Sequence, residues 1–316
     1  MAAETATHDR SPNTCAGPGD RPYRRGRSGL PPASKRGGGA MIRALILCAL
    51  LAGCGPQTTQ QKYEALQDWY AEQGLLRTDY DPADAPFSRD DLVRNFQKIA
   101  FHSEFAPGEK LRQEETPTEL FKWTGGLSWS IDGDGVGPTD IADMQALIAR
   151  LAAATGLTFT QLTPQDDASP DVSMLVLGAR TRELVIGLLS VQDTLRAVPL
   201  IKAWSAEDRF PCIGQIGLVR HGANAGTLRA FIFIKAETTR LLRKSCLHEE
   251  FTQVLGLLND GDDVRPSIFN DGQEFALLTR HDEMLLRILY DPRLKPGMTE
   301  AEGMPIVRRI AAELEL

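Results

Sequence analysis

A mixed α/β (α+β) fold is predicted by three features of this chain. Phe231-Ile232-Phe233-Ile234 is an unbroken apolar run, the pattern of a strand buried on both faces. Ser88-Arg89-Asp90-Asp91 sets a capping serine ahead of two acids and opens a helix through Ile99. Thr139-Asp140 caps a second helix that stops at Thr155-Gly156, where glycine supplies the left-handed residue common at helix ends. Strands thus alternate with helices, and no internal repeat is present.

The order of segments limits where that fold can lie. Residues 1–40 are rich in Arg, Gly and Pro and have no apolar period, so they cannot bury a core and read as a leader, misassigned or disordered. Residues 41–53 carry one charge at Arg43, an apolar run from Ala44 to Leu51 and small residues before Cys54. This is a secretory signal, too short to span a bilayer as a permanent helix. Leu51-Ala52-Gly53-Cys54 resembles a bacterial lipobox, in which Cys54 becomes the lipidated first residue. Residues 54–86 read as a tether, with a short helix over Tyr63–Leu75 and a Pro- and acid-rich linker from Asp79 to Pro86. Residues 87–316 form the domain.

Charge and cysteine usage agree with export. The chain carries −7 overall. Residues 1–40 hold seven basic and three acidic side chains, and Arg43 adds one positive charge, which leaves about −12 from Cys54 onward. A domain this acidic repels nucleic acid and anionic headgroups, and no basic patch interleaved with aromatics offsets it. Cys15 and Cys48 lie in the removed segments and Cys54 is the lipid site, so Cys212 and Cys246 remain as a pair. In an oxidising compartment the simplest reading is a disulfide tying the loop before the buried strand to the next helix. It would close a loop of about 35 residues and contribute on the order of 3–4 kcal/mol. Two buried thiols are the alternative.

The helix predicted over Thr238–Leu258 carries the chemistry. Leu242, Leu247, Phe251, Val254, Leu255 and Leu258 give it an apolar surface. Glu249 and Gln253, four apart, share another side, with Glu250 next to them. The stretch Glu249-Glu250-Phe251-Thr252-Gln253-Val254-Leu255-Gly256-Leu257-Leu258-Asn259-Asp260 resembles the H-E-x-x-H-x-L-G-L-x-H-[DS] pattern of matrixin and metzincin zinc peptidases, with Glu249, Gln253 and Asn259 in place of the three histidines. Ser267-Ile268-Phe269 is similar to the turn beneath the metal, with Phe269 for Met, and Leu278–Tyr290 is similar to the last matrixin helix. By the same resemblance, Trp123–Ile131, Leu157–Leu162 and Val172–Leu177 are strands and Ile141–Ala154 is the first helix. A fuller resemblance is to proteobacterial lipoproteins with a domain of unknown function, which carry a Cys before E-E-x-T-Q-x-L-G-L-x-N-D and then S-I-F-N-D. That family brings no established activity.

The peptidase resemblance implies a zincin/metzincin-like mixed sheet, an active-site-type helix with its polar side toward a cleft below the sheet edge, and a C-terminal helix. Glu250 then stands at the general-base position, Gly256 at the turn returning Asn259 to the site, and Asp260 and Phe269 as its supports. Adjacent carboxylates in such a cleft need a cation, a hydrogen-bond partner or a raised pKa. Neutral amides are poor zinc ligands, and a set offering only oxygens suits Ca²⁺, Mg²⁺ or Mn²⁺ better, so no catalytic metal is expected, with one of those harder ions as the alternative. His248 is read as a solvent-side residue, because Thr252 stands four positions on. His102, His221 and His281 are read as surface or packing residues. Asp132-Gly133-Asp134-Gly135 is read as a glycine turn rather than a calcium loop, since Val136 holds the fifth position. Asp260, Asp262, Asp263, Asn270 and Asp271 form an acidic loop cluster, solvated or calcium-binding.

The functional expectation is a lipoprotein on the periplasmic side of a bacterial membrane, with Gly55 after Cys54 favouring the outer one. It touches the membrane through the anchor only. The degenerate peptidase cleft, that of a pseudoenzyme, would bind an extended polypeptide or envelope partner without cleaving it. The alternative is an active hydrolase using Glu250 with an atypical metal, or with Glu249 as a metal-free pair. Mass spectrometry of membrane-extracted protein should find an acylated N-terminus at Cys54; residues 1–40 on the mature chain would contradict the lipobox reading.

Overall fold

The computed structural model describes residues 57–105, 113–192, 198–218 and 227–315. The signal-like segment, Cys54 and His221 lie outside them. The described residues form a mixed α/β structure, as the sequence predicts.

Its five-stranded sheet comprises β3 (Leu127–Asp132), β4 (Phe159–Gln161), β5 (Val172–Leu177), β6 (Cys212–Leu218) and β7 (Leu228–Lys235), in the order β4-β3-β5-β7-β6. The first four strands in that order run parallel, and β6 is an antiparallel edge. A separate antiparallel pair joins β1 (His102–Phe105) to β2 (Gln113–Pro117).

The apolar run in β7 is explained by two cores. Ala230, Ile232 and Ile234 enter the main core with Trp129, Met174 and Val176, beneath α3 (Pro138–Thr155) and α6 (Arg240–Gln253). Phe233 faces the other way, with Leu177 and Ile213, into a second core closed by Ile186 of α4 (Ala179–Gln192) and by Leu200, Ile201 and Trp204 of α5 (Val198–Ala206). Alternate side chains of one strand thus serve opposite faces.

Helix α2 (Arg89–Ala100) starts as predicted: the Ser88 hydroxyl accepts from the Asp91 N–H at 3.2 Å, and the Asp91 carboxylate accepts from the Ser88 N–H at 2.8 Å. Helix α3 begins earlier than expected. Gly137 is its N-cap and Pro138 its first residue, and Asp140 closes the turn by accepting from the Gly137 N–H at 2.8 Å. Proline is pre-set for that first position, which displaces the cap from Thr139-Asp140. Gly156 ends the helix at φ +73°, as predicted.

Asp132–Gly135 is a tight turn. A Cβ at Gly133 (φ +121°) would lie 2.2 Å from the Val176 carbonyl oxygen. The Asp134 carboxylate accepts from the Gly178 N–H and the Thr181 hydroxyl, at 2.9 and 2.7 Å, and so ties the turn to the start of α4.

The short N-terminal helix α1 spans Thr59–Glu72 rather than Tyr63–Leu75. The following Pro- and acid-rich stretch is held on the domain: the Tyr80 carbonyl accepts from the Arg280 N–H at 2.7 Å, and its hydroxyl donates to Glu283 at 2.7 Å. The chain closes with α7 (Arg280–Tyr290) and α8 (Glu300–Glu313). Buried Asp282 of α7 accepts from the Ser267 hydroxyl at 2.5 Å, the Ile268 N–H at 3.2 Å and the Thr279 N–H at 2.8 Å. One carboxylate thereby fixes the Ser267-Ile268-Phe269 turn to the helix behind it.

The cysteines expected to pair form the Cys212–Cys246 disulfide. Cys212 opens edge strand β6 rather than sitting in a loop, and Cys246 lies midway along α6. That helix stops at Gln253 instead of reaching Leu258, because Gly256 turns the chain at φ +123°. A Cβ there would lie 2.2 Å from the Phe121 carbonyl oxygen. Gly256→Ala should therefore lower stability by roughly 3 kcal/mol or more in urea unfolding. Gly125→Ala, with nothing within 4 Å of the added Cβ, should stay near parent stability; equal midpoints for the two variants would contradict this account.

Candidate functional site

Helix α6 packs against the sheet through Leu247 and Phe251, whose ring meets Trp129 edge-on with centroids 6.4 Å apart. That contact sets the rotation of the helix. Leu242, Ser245, Cys246, Glu249, Glu250 and Gln253 then fall along one stripe at helical spacing, and all line a cleft of about 210 Å³. Its opposite wall is Arg209–Gly214, entering edge strand β6; Asp260, Asp271 and Gln273 form one rim, and Glu104 of β1 reaches in.

Five carboxyl-bearing residues line it: Glu104, Glu249, Glu250, Asp260 and Asp271. Glu250 is 7% exposed. It accepts a hydrogen bond from the Gly214 N–H of β6. A Cβ at residue 214 would lie 2.7 Å from Glu250 Oε2, so the bare glycine backbone is what lets the carboxyl reach the strand. Gln253 Nε2 donates to Glu104 Oε2 at 3.5 Å. Asp260 Oδ1 is buried with no hydrogen-bond partner among the described residues.

Among the described residues, the one basic side chain lining the cleft is Arg209, which is ion-paired to Glu207 at 2.6 Å. Proton affinities rise accordingly. Burial, then Glu250 and Glu104, push Glu249 well above the usual carboxyl range. Burial, then Glu104 and Asp260, do the same to Glu250 against the opposing pull of the Gly214 N–H. Asp260 is raised by burial, Glu104 and Glu249. The cluster therefore holds its protons to higher pH than ordinary carboxyls do, and a protonated member can donate as well as accept hydrogen bonds. Among the described residues no three His, Cys, Asp or Glu side chains are grouped so as to hold a metal ion.

The positions picked out by sequence divide. Glu249, Glu250, Gln253 and Asp260 converge on the cleft. Asn259, assigned by resemblance to the third ligand position, is not among the lining residues: its amide donates to the Lys98 carbonyl at 3.1 Å and to Glu115 Oε2 at 3.3 Å. Phe269 is fully buried in the main core, and Gly256 turns the chain against Phe121. Within the acidic loop cluster, Asp263 pairs with Lys98 at 2.5 Å, and Asn270 donates to the Asp262 and Val264 carbonyls. Glu104 and Gly214 carry no local signal, since they become neighbours of Glu250 only through the fold.

His248 is not on the solvent side. It is 4% exposed, and its Nδ1 accepts from the Leu278 N–H at 3.0 Å. Burial first, then Arg150 and Lys244, lower its pKa to about 3, so the ring is neutral and structural. His281 is fully buried beside Phe87, with Nε2 3.0 Å from the Asn95 amide, and His102 lies 3.7 Å from Glu115.

Residues 89–309 match the family described as protein of unknown function (DUF2927). Comparison with curated proteins gives no match.

The cleft makes stability depend on pH. Raised carboxyl pKa values contribute stability that is present below the unfolded value, about 4.3 for Glu, and is lost as pH rises toward the folded values. His248 works oppositely, contributing above about 6.5 and losing that contribution as pH falls. Buried Lys235, lowered to about 8, bounds the window above. As pH rises from about 4.3 the carboxyls should pull the urea midpoint down, opposed up to about 6.5 by His248, and Glu249→Gln or Glu250→Gln should weaken that downward pull. Parallel slopes in the parent and both variants would show that these carboxyls are already ionised.

Proposed function

The chain belongs to the DUF2927 family, and we propose that it is a lipid-anchored cell-envelope protein whose degenerate metallopeptidase-like cleft binds an extended polypeptide or envelope partner without cleaving it. The observation that carries this reading is the seating of Glu250. Its carboxyl accepts from the Gly214 N–H of the edge strand, and burial and neighbouring acids raise its pKa. A carboxyl tied to the sheet edge is engaged there, whereas the general base that the peptidase pattern assigns to its position needs a water or substrate proton within hydrogen-bond reach.

Three further features support the reading. The polar side of α6 faces a cleft at the sheet edge, as the metzincin resemblance implies. The described residues bring no imidazole to the cleft lining, and neutral amide and carboxyl oxygens would not hold zinc in its catalytic form. A proton-bearing carboxyl donates to the carbonyls of an extended polypeptide, and an ionised one favours a basic chain over an acidic one. The periplasmic location and the single lipid contact with the membrane rest on the signal-like segment and Cys54.

The paired carboxyls favour one second reading, a hydrolase in which Glu249 and Glu250 exchange a proton or share a Ca²⁺, Mg²⁺ or Mn²⁺ ion after ionising. Glu250→Gln separates the two. It preserves shape and hydrogen bonding but removes the proton carrier. Restoration of a deletion phenotype to parental level is expected; loss of function with unchanged circular dichroism and melting temperature would favour the enzyme.

A further inference from the structure

Helix α1 forms one side of the carboxyl cleft through Leu66 and Tyr70. At its N-terminal end, Lys62 is paired with Asp208 at 2.5 Å, and the Thr59 hydroxyl donates to the same residue at 3.4 Å, on the rim that leads into Phe210 and Cys212. Midway, the Thr239 hydroxyl donates to Gln67 Oε1 at 2.6 Å. Past its C-terminal end, the Leu76 N–H donates to the Gln273 carbonyl at 2.9 Å, and the Arg77 N–H to that of Glu274 at 2.8 Å, on the opposite rim. Leu66 and Tyr70, one turn apart on the side between these ties, line the cleft itself. The phenol of Tyr70 is close enough to Glu249 for that carboxyl to raise its pKa, after burial.

The two ends of this segment are held very differently. Tyr63 is the only buried residue of the helix, and Trp69 is 45% exposed. The Lys62–Asp208 pair is solvent-exposed at both partners and adds little. An isolated helix of this length is marginal in water. The anchor that follows is firm: Arg77 pairs with Asp84 at 2.7 Å and Glu274 at 3.2 Å, its guanidinium lies 4.9 Å from the Phe275 ring centre, and its carbonyl accepts from the Ala276 N–H at 2.8 Å. Between helix and anchor stands Gly74, at φ +72°, with no atom within 4 Å of the place a Cβ would take. That is the arrangement of a cover with a fixed end and a pivot.

We propose that α1 is a displaceable strap: it occupies the carboxyl cleft in the resting chain, pivots near Gly74 about the Arg77 anchor, and must lift for an external ligand to reach Glu249 and Glu250. This extends the binding reading above by giving the cleft an internal occupant, and an aliphatic–aromatic pair one helical turn apart is the chemistry that occupant presents. Helices docked through few buried contacts open below the free energy of global unfolding.

Native-state hydrogen exchange on the full chain tests this without any variant. Amides of α1 should exchange at least about a hundredfold faster than those of β7, with Arg77 and Ala276 following the slow class. A Gln67→Cys/Thr239→Cys pair, joined by a short bis-maleimide linker in place of the Gln67–Thr239 hydrogen bond, should slow α1 toward β7 and reduce carbodiimide labelling of Glu249 by about tenfold or more relative to the same variant left unlinked. Exchange of α1 only together with β7 in the parent would overturn the proposal and make the helix a permanent wall. So would unchanged Glu249 labelling in the linked pair. Neither result depends on whether the cleft binds a polypeptide, which the Glu250→Gln comparison decides separately.

Discussion

The seating of α6 against the outermost strand of the sheet is the constraint on which the rest of the site depends. Cys246 is bonded to Cys212 at the start of β6, and one turn further along the same helix Glu250 accepts from the Gly214 N–H two residues along the strand. Residues four apart on a helix and two apart on a strand advance by similar distances, about 6 and 7 Å, so both contacts hold in one register. Phe251 against Trp129 supplies the apolar half of the seating. Once the helix is fixed in this rotation, Glu249 and Gln253 have nowhere to point but the cleft.

The consequence is electrostatic. A carboxyl beside a sheet edge is ordinarily hydrated, but here Glu104, Glu249, Glu250 and Asp260 compete for one small volume where the described lining holds a single, already paired arginine. Burial and the neighbouring like charges raise the pKa of Glu249, Glu250 and Asp260. Elsewhere the protein handles buried acids differently. Asp282 is fully buried yet receives donors from Ser267, Ile268 and Thr279, and Asp140 accepts from the Gly137 N–H and lies 3.3 Å from Arg243. Within the cleft, Asp260 Oδ1 has no such donor among the described residues, and a buried carboxyl left without one is a place to seek a function.

Much of the scaffold is legible in the residues because its signals are local. The Ser88 cap, the Gly156 stop and the β7 apolar run each depend on neighbours in sequence, and each is in place. Strand β6 gives no such signal, since Cys-Ile-Gly-Gln-Ile-Gly-Leu carries two glycines; one of them, Gly214, is there for the approach of Glu250. The sequence overextends helix α6 because its apolar period continues past Gly256. The pairing of Cys212 with Cys246 follows by elimination, but Glu104 and the amide of Asn259 take their positions through long-range contacts. The burial of His248 is likewise invisible to spacing, which asks only what stands four residues away.

Burial and mutual repulsion raise the pKa of the carboxyls in this cleft, and on that shift the pH dependence rests. Site-resolved ¹³C NMR titration of the glutamate side chains measures it directly, with Glu249→Gln and Glu250→Gln supplying the assignments. Midpoints of Glu249 and Glu250 well above the ordinary carboxyl range, with the midpoint of each shifting when the other is replaced, are the predicted result. Ordinary, independent midpoints near 4.3 for both residues would contradict it and return the cleft to a solvated acidic surface.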